Sequence, residues 1–472
     1  MFGTSGIRGP VGDTVDAALA LDVGRAVAAE TDTVVVGRDV RETGLVLADA
    51  LSSGLRECGT DVIRLGVVST PTLARSVQWY GADAGVGITA SHNPAPDNGI
   101  KLWNPSGQAF TPTQTTAIEE RLAADSVELA SWDEFGSERV VETAASRHVE
   151  HLVSTFSDPE RSLSTPFEDL TIIVDLGNGT GRVTVDALDA LGATIHTLDA
   201  QPDGRFPARK SEPNAETLEA LQSVVPSLGA DLGLAHDGDA DRMVAVTADG
   251  EYVPGDVLLA LFGRDAVASV SSDVAETPRV TSDGAENHTS PKGSPAVAVP
   301  VDTSLLVADT VRQADGEVAY TPVGDVHVAE AASQDGFVFG GEPSGAWIWP
   351  DQTLAPDGHF AALRLAALVN SHGSLRGLID EIPTGAYVTR RENVPAGDRA
   401  ASMEAIEAAL RDRYDDIDTI DGLRIDTDDG WFLVRPSGTE PLVRVTAEAR
   451  SDDAAVELAE SALDVVSDNV VQ

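Results

Sequence analysis

The chain has 472 residues, 42% of them hydrophobic, with 77 acidic side chains against 32 basic ones and a formal charge of -45. That length divides into about three domains, each with enough chain for its own core. So strong a negative field repels nucleic acid and anionic membrane surfaces, and a single cysteine, Cys58, excludes an intramolecular disulfide or a cysteine-rich metal site.

The acid excess runs the whole length, and lysine is represented only by Lys101, Lys210 and Lys292. This balance fits a halophilic protein, because concentrated salt screens self-repulsion. The acidity therefore speaks of solvent more than of substrate, and each retained lysine gains weight. Met1-Phe2-Gly3-Thr4 carries no charged leader or apolar signal core, and no apolar run approaches ~18 residues. A cytoplasmic protein is expected.

Val34-Val35-Val36 reads as a strand, followed by a helix from a Thr43 cap through Leu51 and Leu55. Val62 to Leu65 is a second strand, and Thr70-Pro71 opens a helix with a capping residue and a first-turn proline. Ala84 to Ile88, small and apolar, is a buried strand running into Thr89-Ala90-Ser91-His92-Asn93-Pro94. Ligands sit at such carboxyl-end loops in open α/β sheets, which makes Ser91 a candidate nucleophile. The same six residues also read as a plain polar turn. Asn98-Gly99 reads as a tight turn before the strand Ile100 to Trp103, and Thr113 to Ala124 as a helix.

A second βα series starts at Thr171 to Val174, turns at Gly177 to Gly181 and continues into a helix around Val185 to Leu191. A third starts at Val297 to Val301, turns at Asp302-Thr303-Ser304 and continues into a helix through Val311. The shared pattern suggests three related α/β units. The glycine-rich turn lacks the spacing of a dinucleotide fingerprint. Residues 269–295 have poor periodicity and read as a flexible excursion. The tail differs: strands at Tyr387 to Glu392, Leu423 to Ile425, Trp431 to Arg435 and Val443 to Ala447, with helices at about 401–414 and 454–466, suggest a smaller α+β domain.

The strongest local signal is Asp237-Gly238-Asp239-Ala240-Asp241-Arg242. Carboxylates at i, i+2 and i+4 can converge as hard oxygen ligands for Mg²⁺ or Ca²⁺, and Arg242 is suited to a phosphate bridging to that metal. An acidic surface turn is the plain alternative, and an EF-hand fails because its glycine and final glutamate positions hold Arg242 and Ala248. In Arg435-Pro436-Ser437-Gly438-Thr439-Glu440-Pro441 a forked donor, two hydroxyls and an open backbone can surround an anion. Glu342 and Ser344, in Gly340-Gly341-Glu342-Pro343-Ser344-Gly345, match the hydrogen bonding of adjacent sugar hydroxyls. Ser5 and Arg8 sit in a similar small-residue loop. No Gly-x-Ser-x-Gly elbow and no Walker A loop is present, which argues against an α/β-hydrolase and a P-loop kinase.

In this order the five loops resemble those of the α-D-phosphohexomutase family, which includes phosphoglucomutases, phosphomannomutases and phosphoglucosamine mutases. The resemblance runs from Gly3 to about Val466. It implies an α/β fold of three similar mixed domains plus a smaller C-terminal α+β domain around a central cleft, with units expected at 1–145, 146–250, 251–370 and 371–472. It implies that Ser91 carries a transferable phosphate, that Asp237, Asp239 and Asp241 hold one Mg²⁺ with it, and that Lys101 and Arg8 serve the reacting group. Glu342 and Ser344 would contact the sugar, helped by Thr321 and Gly324 of Thr321-Pro322-Val323-Gly324-Asp325. Arg435, Ser437, Gly438 and Thr439, with Arg242, would bind phosphate. A hexose 1,6-bisphosphate would be both intermediate and activator, and a small hexose phosphate the partner. Ala346 stands where many relatives carry histidine, which leaves the general base open among groups such as His92, His327 and His359. The first domain and the Gly-Glu-Pro-Ser-Gly-Ala-Trp loop look most like archaeal phosphoglucosamine mutases, with phosphomannomutase or phosphoglucomutase as alternatives.

Overall fold

The structure, a computed structural model, describes residues 1–3, 6–124, 127–158, 167–274, 293–437 and 441–471. Its first three sheets repeat one plan. A central parallel strand, Thr33–Arg38, Thr171–Asp175 or Ala296–Pro300, pairs on one side with the next strand in sequence, Asp61–Val67, Thr194–Leu198 or Glu317–Thr321. On its other side it pairs in parallel with Ala84–Ile88, Leu232–His236 or Phe337–Gly341. Each of these third strands turns back into an antiparallel neighbour: Asp97–Trp103, Met243–Thr247 or Trp347–Ile348. Ala84–Ile88 and Leu232–His236 are buried throughout, as strands covered on both faces must be, which is why they read as unbroken apolar runs. The Ser91, Asp237–Arg242 and Glu342–Ala346 loops are thus the same hairpin in three successive units.

The first sheet has two additional strands. Ile7–Pro10 pairs with Asp97–Trp103, and Glu138–Val140 with Asp61–Val67. Asn98 and Gly99 therefore lie inside a strand rather than in the expected tight turn. That strand is paired on both sides, and a Cβ on Gly99 would sit 2.5 Å from the Ile7 carbonyl oxygen and 2.6 Å from that of Thr89. Glycine is there for close approach, not for turning. Two caps also differ from expectation. Ser69, not Thr70, caps the helix Thr70–Trp79, and the Thr43 hydroxyl makes no capping bond to the helix Gly44–Glu57. The expected excursion starts too early: 269–274 are still in the helix Gly255–Val274, and 275–292 lie outside the described residues.

The last unit is an antiparallel sheet in the order Val388–Pro395, Leu442–Ala449, Gly430–Pro436, Leu423–Asp426. The helices Arg399–Arg411 and Asp452–Asn469 cover one face through Ile406, Leu410, Val465 and Val466. The other face turns toward the third unit, where Trp431 and Leu433 pack on Val301, and the buried Glu448 accepts from the Leu305 amide.

Behind the first three hairpins, buried polar side chains join the units in single file. His236 Nδ1 meets the Arg242 carbonyl at 2.8 Å, so that nitrogen carries the proton, and its Nε2 accepts from Thr184 at 2.8 Å. Thr184 in turn accepts from His359 Nδ1, whose Nε2 meets Ser69 Oγ, both at 2.8 Å. Burial holds His359 well below the usual imidazole range, aided by His148, and lowers His236 to about 4. Among the described residues, no helix is long and apolar enough to cross a membrane.

Candidate active site

Ser91 occupies the turn of the first hairpin with φ of 50°, a left-handed conformation rare for a side chain with Cβ. Its hydroxyl donates to Asp237 Oδ2 at 2.6 Å and lies 3.5 Å from Asp241 Oδ1. Ala240 bends the second hairpin with φ of 57°, which lets alternate aspartates face inward. Suitable oxygens of Asp237, Asp239 and Asp241 all lie within 4.8 Å of one another, and all three residues are buried. A Cβ on Gly179 would lie 2.6 Å from the Gly238 carbonyl, so the nearby glycine-rich turn supports this loop's backbone.

Lys101 enters from the strand opposite Gly87, with Nζ 2.8 Å from Asp241 Oδ2 and 3.8 Å from Asp239 Oδ2. Asp239 Oδ2 also accepts from Thr70 Oγ1 at 2.6 Å, yet its Oδ1 is buried without a hydrogen-bond partner among the described residues. Burial raises Asp237 well above the usual carboxylate range, and Asp241 and Asp239 add to the shift. Burial works the same way on Asp241, but Lys101 and Arg242 overcome it and hold that group ionised. Converging carboxylates, an orphaned oxygen and surplus negative charge fit a divalent cation, with Ser91 Oγ at the edge of the same oxygen set.

A cavity of about 400 Å³ opens over Ser91, and all four units wall it. Arg8 and Lys101 come from the first, Asp241 and Arg242 from the second, and Gly324, Glu342 and Ser344 from the third. Arg8 Nε is buried without a partner among the described residues, as suits an anion-facing guanidinium. Glu342 accepts from the Gly324 amide at 2.9 Å and from Ser344 Oγ at 3.2 Å. Burial pushes its carboxyl up to about 7, with Asp325 adding to the effect.

Other expected residues sit elsewhere. Thr321 does not line the cavity: its hydroxyl donates to the Pro322 carbonyl at 2.9 Å, and Val323, Gly324 and Asp325 are the members of that loop that do. Arg435 and Ser437 do not line it either. Arg435 pairs with Asp421 at 3.1 Å, and Ser437 is buried. Ser5, Gly438 and Thr439 lie outside the described residues. Instead Arg391 and Arg444 project into the cavity from the fourth unit, Arg444 directly opposite Arg435 in the sheet. Neither lies in a motif; basic side chains among so many acidic ones were the only signal. Of the histidines, His92 lines the cavity 3.4 Å from Ser91 Oγ, and burial, with Arg242 and Arg8, pushes it down to about 2. His359 belongs to the buried file and His327 to the helix Asp325–Ala332, and neither faces the cavity.

Comparison with known proteins agrees with this arrangement. Four profiles, described as phosphoglucomutase/phosphomannomutase α/β/α domains I, II and III and the C-terminal domain, match residues 1–128, 146–250, 255–385 and 391–465. A probable phosphoglucosamine mutase of Methanopyrus kandleri is 44% identical over 471 residues, covering 98% of this chain and 97% of its own. The chain belongs to the phosphoglucomutase/phosphomannomutase family. A second probable phosphoglucosamine mutase, from Methanobrevibacter smithii, is 39% identical, with 100% of this chain and 99% of the relative covered. Among solved structures, a phosphoglucomutase/phosphomannomutase family protein from Burkholderia thailandensis superposes with a TM-score of 0.82 at 28% identity, covering 100% of this chain and 99% of that one. An Aspergillus fumigatus N-acetylphosphoglucosamine mutase, solved with GlcNAc-6P and magnesium, shares the fold at a TM-score of 0.58 and 18% identity, with 100% and 96% covered.

Proposed function

We propose that this family member is a cytoplasmic phosphoglucosamine mutase that interconverts glucosamine 6-phosphate and glucosamine 1-phosphate. The observation that carries the reading is Ser91 Oγ at 2.6 Å from Asp237, beside two further carboxylates, on the floor of a cavity walled by all four units. In this reading phosphoserine at 91 gives its phosphoryl group to the free sugar hydroxyl: the P–Oγ bond breaks, a P–O bond to the sugar forms, and the hydroxyl's proton ends on Ser91 Oγ. The resulting hexose 1,6-bisphosphate turns over within the cavity, and Ser91 Oγ takes the other phosphoryl group back. Asp237, Asp239, Asp241 and the Ser91 oxygen would hold Mg²⁺, which supplies positive charge against the transferring group. Lys101 and Arg8 set further cationic charge at that end. Arg242 would meet the phosphate that bridges to that ion, and Arg391 and Arg444 would hold the phosphate that is not reacting. Glu342 and Ser344 would orient the ring through its hydroxyls, which is compatible with either phosphate facing Ser91. The choice of glucosamine rests on the archaeal relatives, whose names carry that activity.

The test compares kcat/KM for glucosamine, mannose and glucose 1-phosphates in high salt with a trace of bisphosphate. Preference for the amino sugar is expected; preference for mannose 1-phosphate would overturn the choice of sugar. Intact mass should show phosphate on Ser91, and Ser91→Ala should lose on the order of 10⁴-fold in kcat. An active alanine variant would remove the phosphoserine mechanism altogether, and release of free phosphate as the main product would mark a phosphatase.

A further inference from the structure

Arg41 stands apart from the other arginines around the site. Its guanidinium is fully buried and does not line the cavity over Ser91; every one of its five N–H donors is already committed. Nε bonds to Asp39 Oδ2 at 3.0 Å. One terminal nitrogen donates to the carbonyls of Pro94 and Asp97 at 2.7 and 2.9 Å. The other donates to those of Ser91 and Asn93 at 2.9 and 2.7 Å. Four carbonyls of the loop that carries Ser91 thus converge on one planar cation.

The remaining contacts close around it. Asp39 Oδ2 also accepts from Thr89 Oγ1 at 2.7 Å, and Thr89 Oγ1 accepts from the Ser91 amide at 2.9 Å. From the second unit, Ser211 Oγ donates to the Ser91 carbonyl at 2.9 Å, and the Phe206 ring covers the guanidinium with its centroid 5.0 Å away. The Ser91 peptide is therefore held at both its N–H and its carbonyl, in a left-handed conformation that its own side chain disfavours.

We propose that Arg41, with Asp39 and Ser211, is the positioning residue that fixes the backbone of Ser91 for phosphoryl transfer. It touches no reacting atom and, with its donors saturated, binds no phosphate. Its effect is orientational. A serine that alternately carries a free hydroxyl and a phosphate bearing roughly two negative charges must keep its Oγ in line with two different partners. Convergent carbonyl anchoring keeps the loop from recoiling as that charge comes and goes. Misplacement of a reacting atom by about 1 Å costs about 10²-fold in rate.

This inference rests on Ser91 being the phosphate carrier. Arg41→Lys retains the charge opposite Asp39 but has only three donors and no planar fork. Its kcat is expected to fall about 10²-fold, with KM for the sugar phosphate within about threefold of the parent. Phosphorylation of Ser91 by hexose 1,6-bisphosphate, followed by intact mass, should slow by the same factor. Ser211→Ala removes one donor from the Ser91 carbonyl without leaving a buried charge unpaired. It should lower kcat several-fold, again without moving KM, and it remains informative if the lysine variant does not fold. Parent-like kcat and phosphorylation rate in either folded variant, or a loss confined to KM, would overturn the proposal. If the parent enzyme itself takes up no phosphate on Ser91, the phosphoserine reading fails instead.

Discussion

The two ends of the cavity are built on opposite principles. At the Ser91 end the aspartates and Lys101 are buried, tied together through Lys101 and Ser91, and carried on hairpins of the first and second sheets. At the fourth-unit end Arg391 and Arg444 are exposed, and Arg435, opposite Arg444, pairs with Asp421 of its own unit. Buried charge is costly to rearrange, so the first end is preorganised for chemistry. Solvated guanidiniums lose and gain partners cheaply, so the second end suits gripping and releasing a phosphate.

That contrast can be broken experimentally. The largest effect is expected from Asp237→Asn. Activity should drop by about 10³-fold because the divalent cation loses a charged ligand, while the metal-free protein becomes more stable by about 1 kcal/mol because one of three crowded buried charges is gone. Chemical denaturation in chelator checks the second half; a destabilised metal-free variant would mean the carboxylates are not in conflict. Arg444→Ala should instead raise KM about tenfold with kcat nearly constant, and the difference should shrink in high salt. A kcat defect of equal size would abolish the distinction between the two ends.

A smaller effect concerns Glu342, whose carboxyl is pushed up to about 7 by burial. As a sugar-hydroxyl acceptor it must be ionised, so kcat/KM should rise through pH 7, and Glu342→Gln should flatten that limb at roughly tenfold lower activity. The folded-state pKa is raised above the unfolded value, so ionisation opposes folding and the glutamine variant should gain relative stability as pH rises from 5 to 8. The smallest effect lies behind the reacting end. His359 is kept neutral in the fold, with its pKa below the unfolded value near 6.5. Its stabilising share is whole above that pH and is lost as pH falls, at about 1.4 kcal/mol per pH unit. The stability gap between parent and His359→Gln should therefore narrow between pH 6.5 and 5. A constant gap in matched denaturation curves would show that this imidazole titrates as freely as in the unfolded chain.

Much of this architecture is legible in the sequence because it depends on local pattern. Ala84 to Ile88 is uniformly apolar and forms a strand with those bounds, and three aspartates at alternate positions do converge. Asn98-Gly99 misled because turn chemistry and close strand approach select the same residue, and only the neighbouring Ile7 strand distinguishes them. Thr321 was named by its motif, but the direction of a hydroxyl is set by tertiary contacts. Arg41, Arg391 and Arg444 carry no local signature. Their roles exist only because distant segments meet: an arginine at 41 with carbonyls at 91–97, and two strands of the tail with a cavity floored by residue 91.

The recurrence of one hairpin in three units has a practical consequence for redesign. The proposed nucleophile, ion ligands and ring contacts occupy equivalent corners, each attached to the rest of its own sheet through backbone pairing. In the third corner, Glu342, Pro343 and Ser344 are the side chains open to exchange. Its short return strand pairs at Gly340 and Gly341, but Ala346 also bridges Arg242 and the Gly345 carbonyl accepts from the Met243 amide at 3.0 Å, so exchanges that keep the backbone at 345 and 346 alter the face offered to the sugar without moving the aspartate corner. A change of sugar is, for this scaffold, an edit of side chains on a backbone that two corners share.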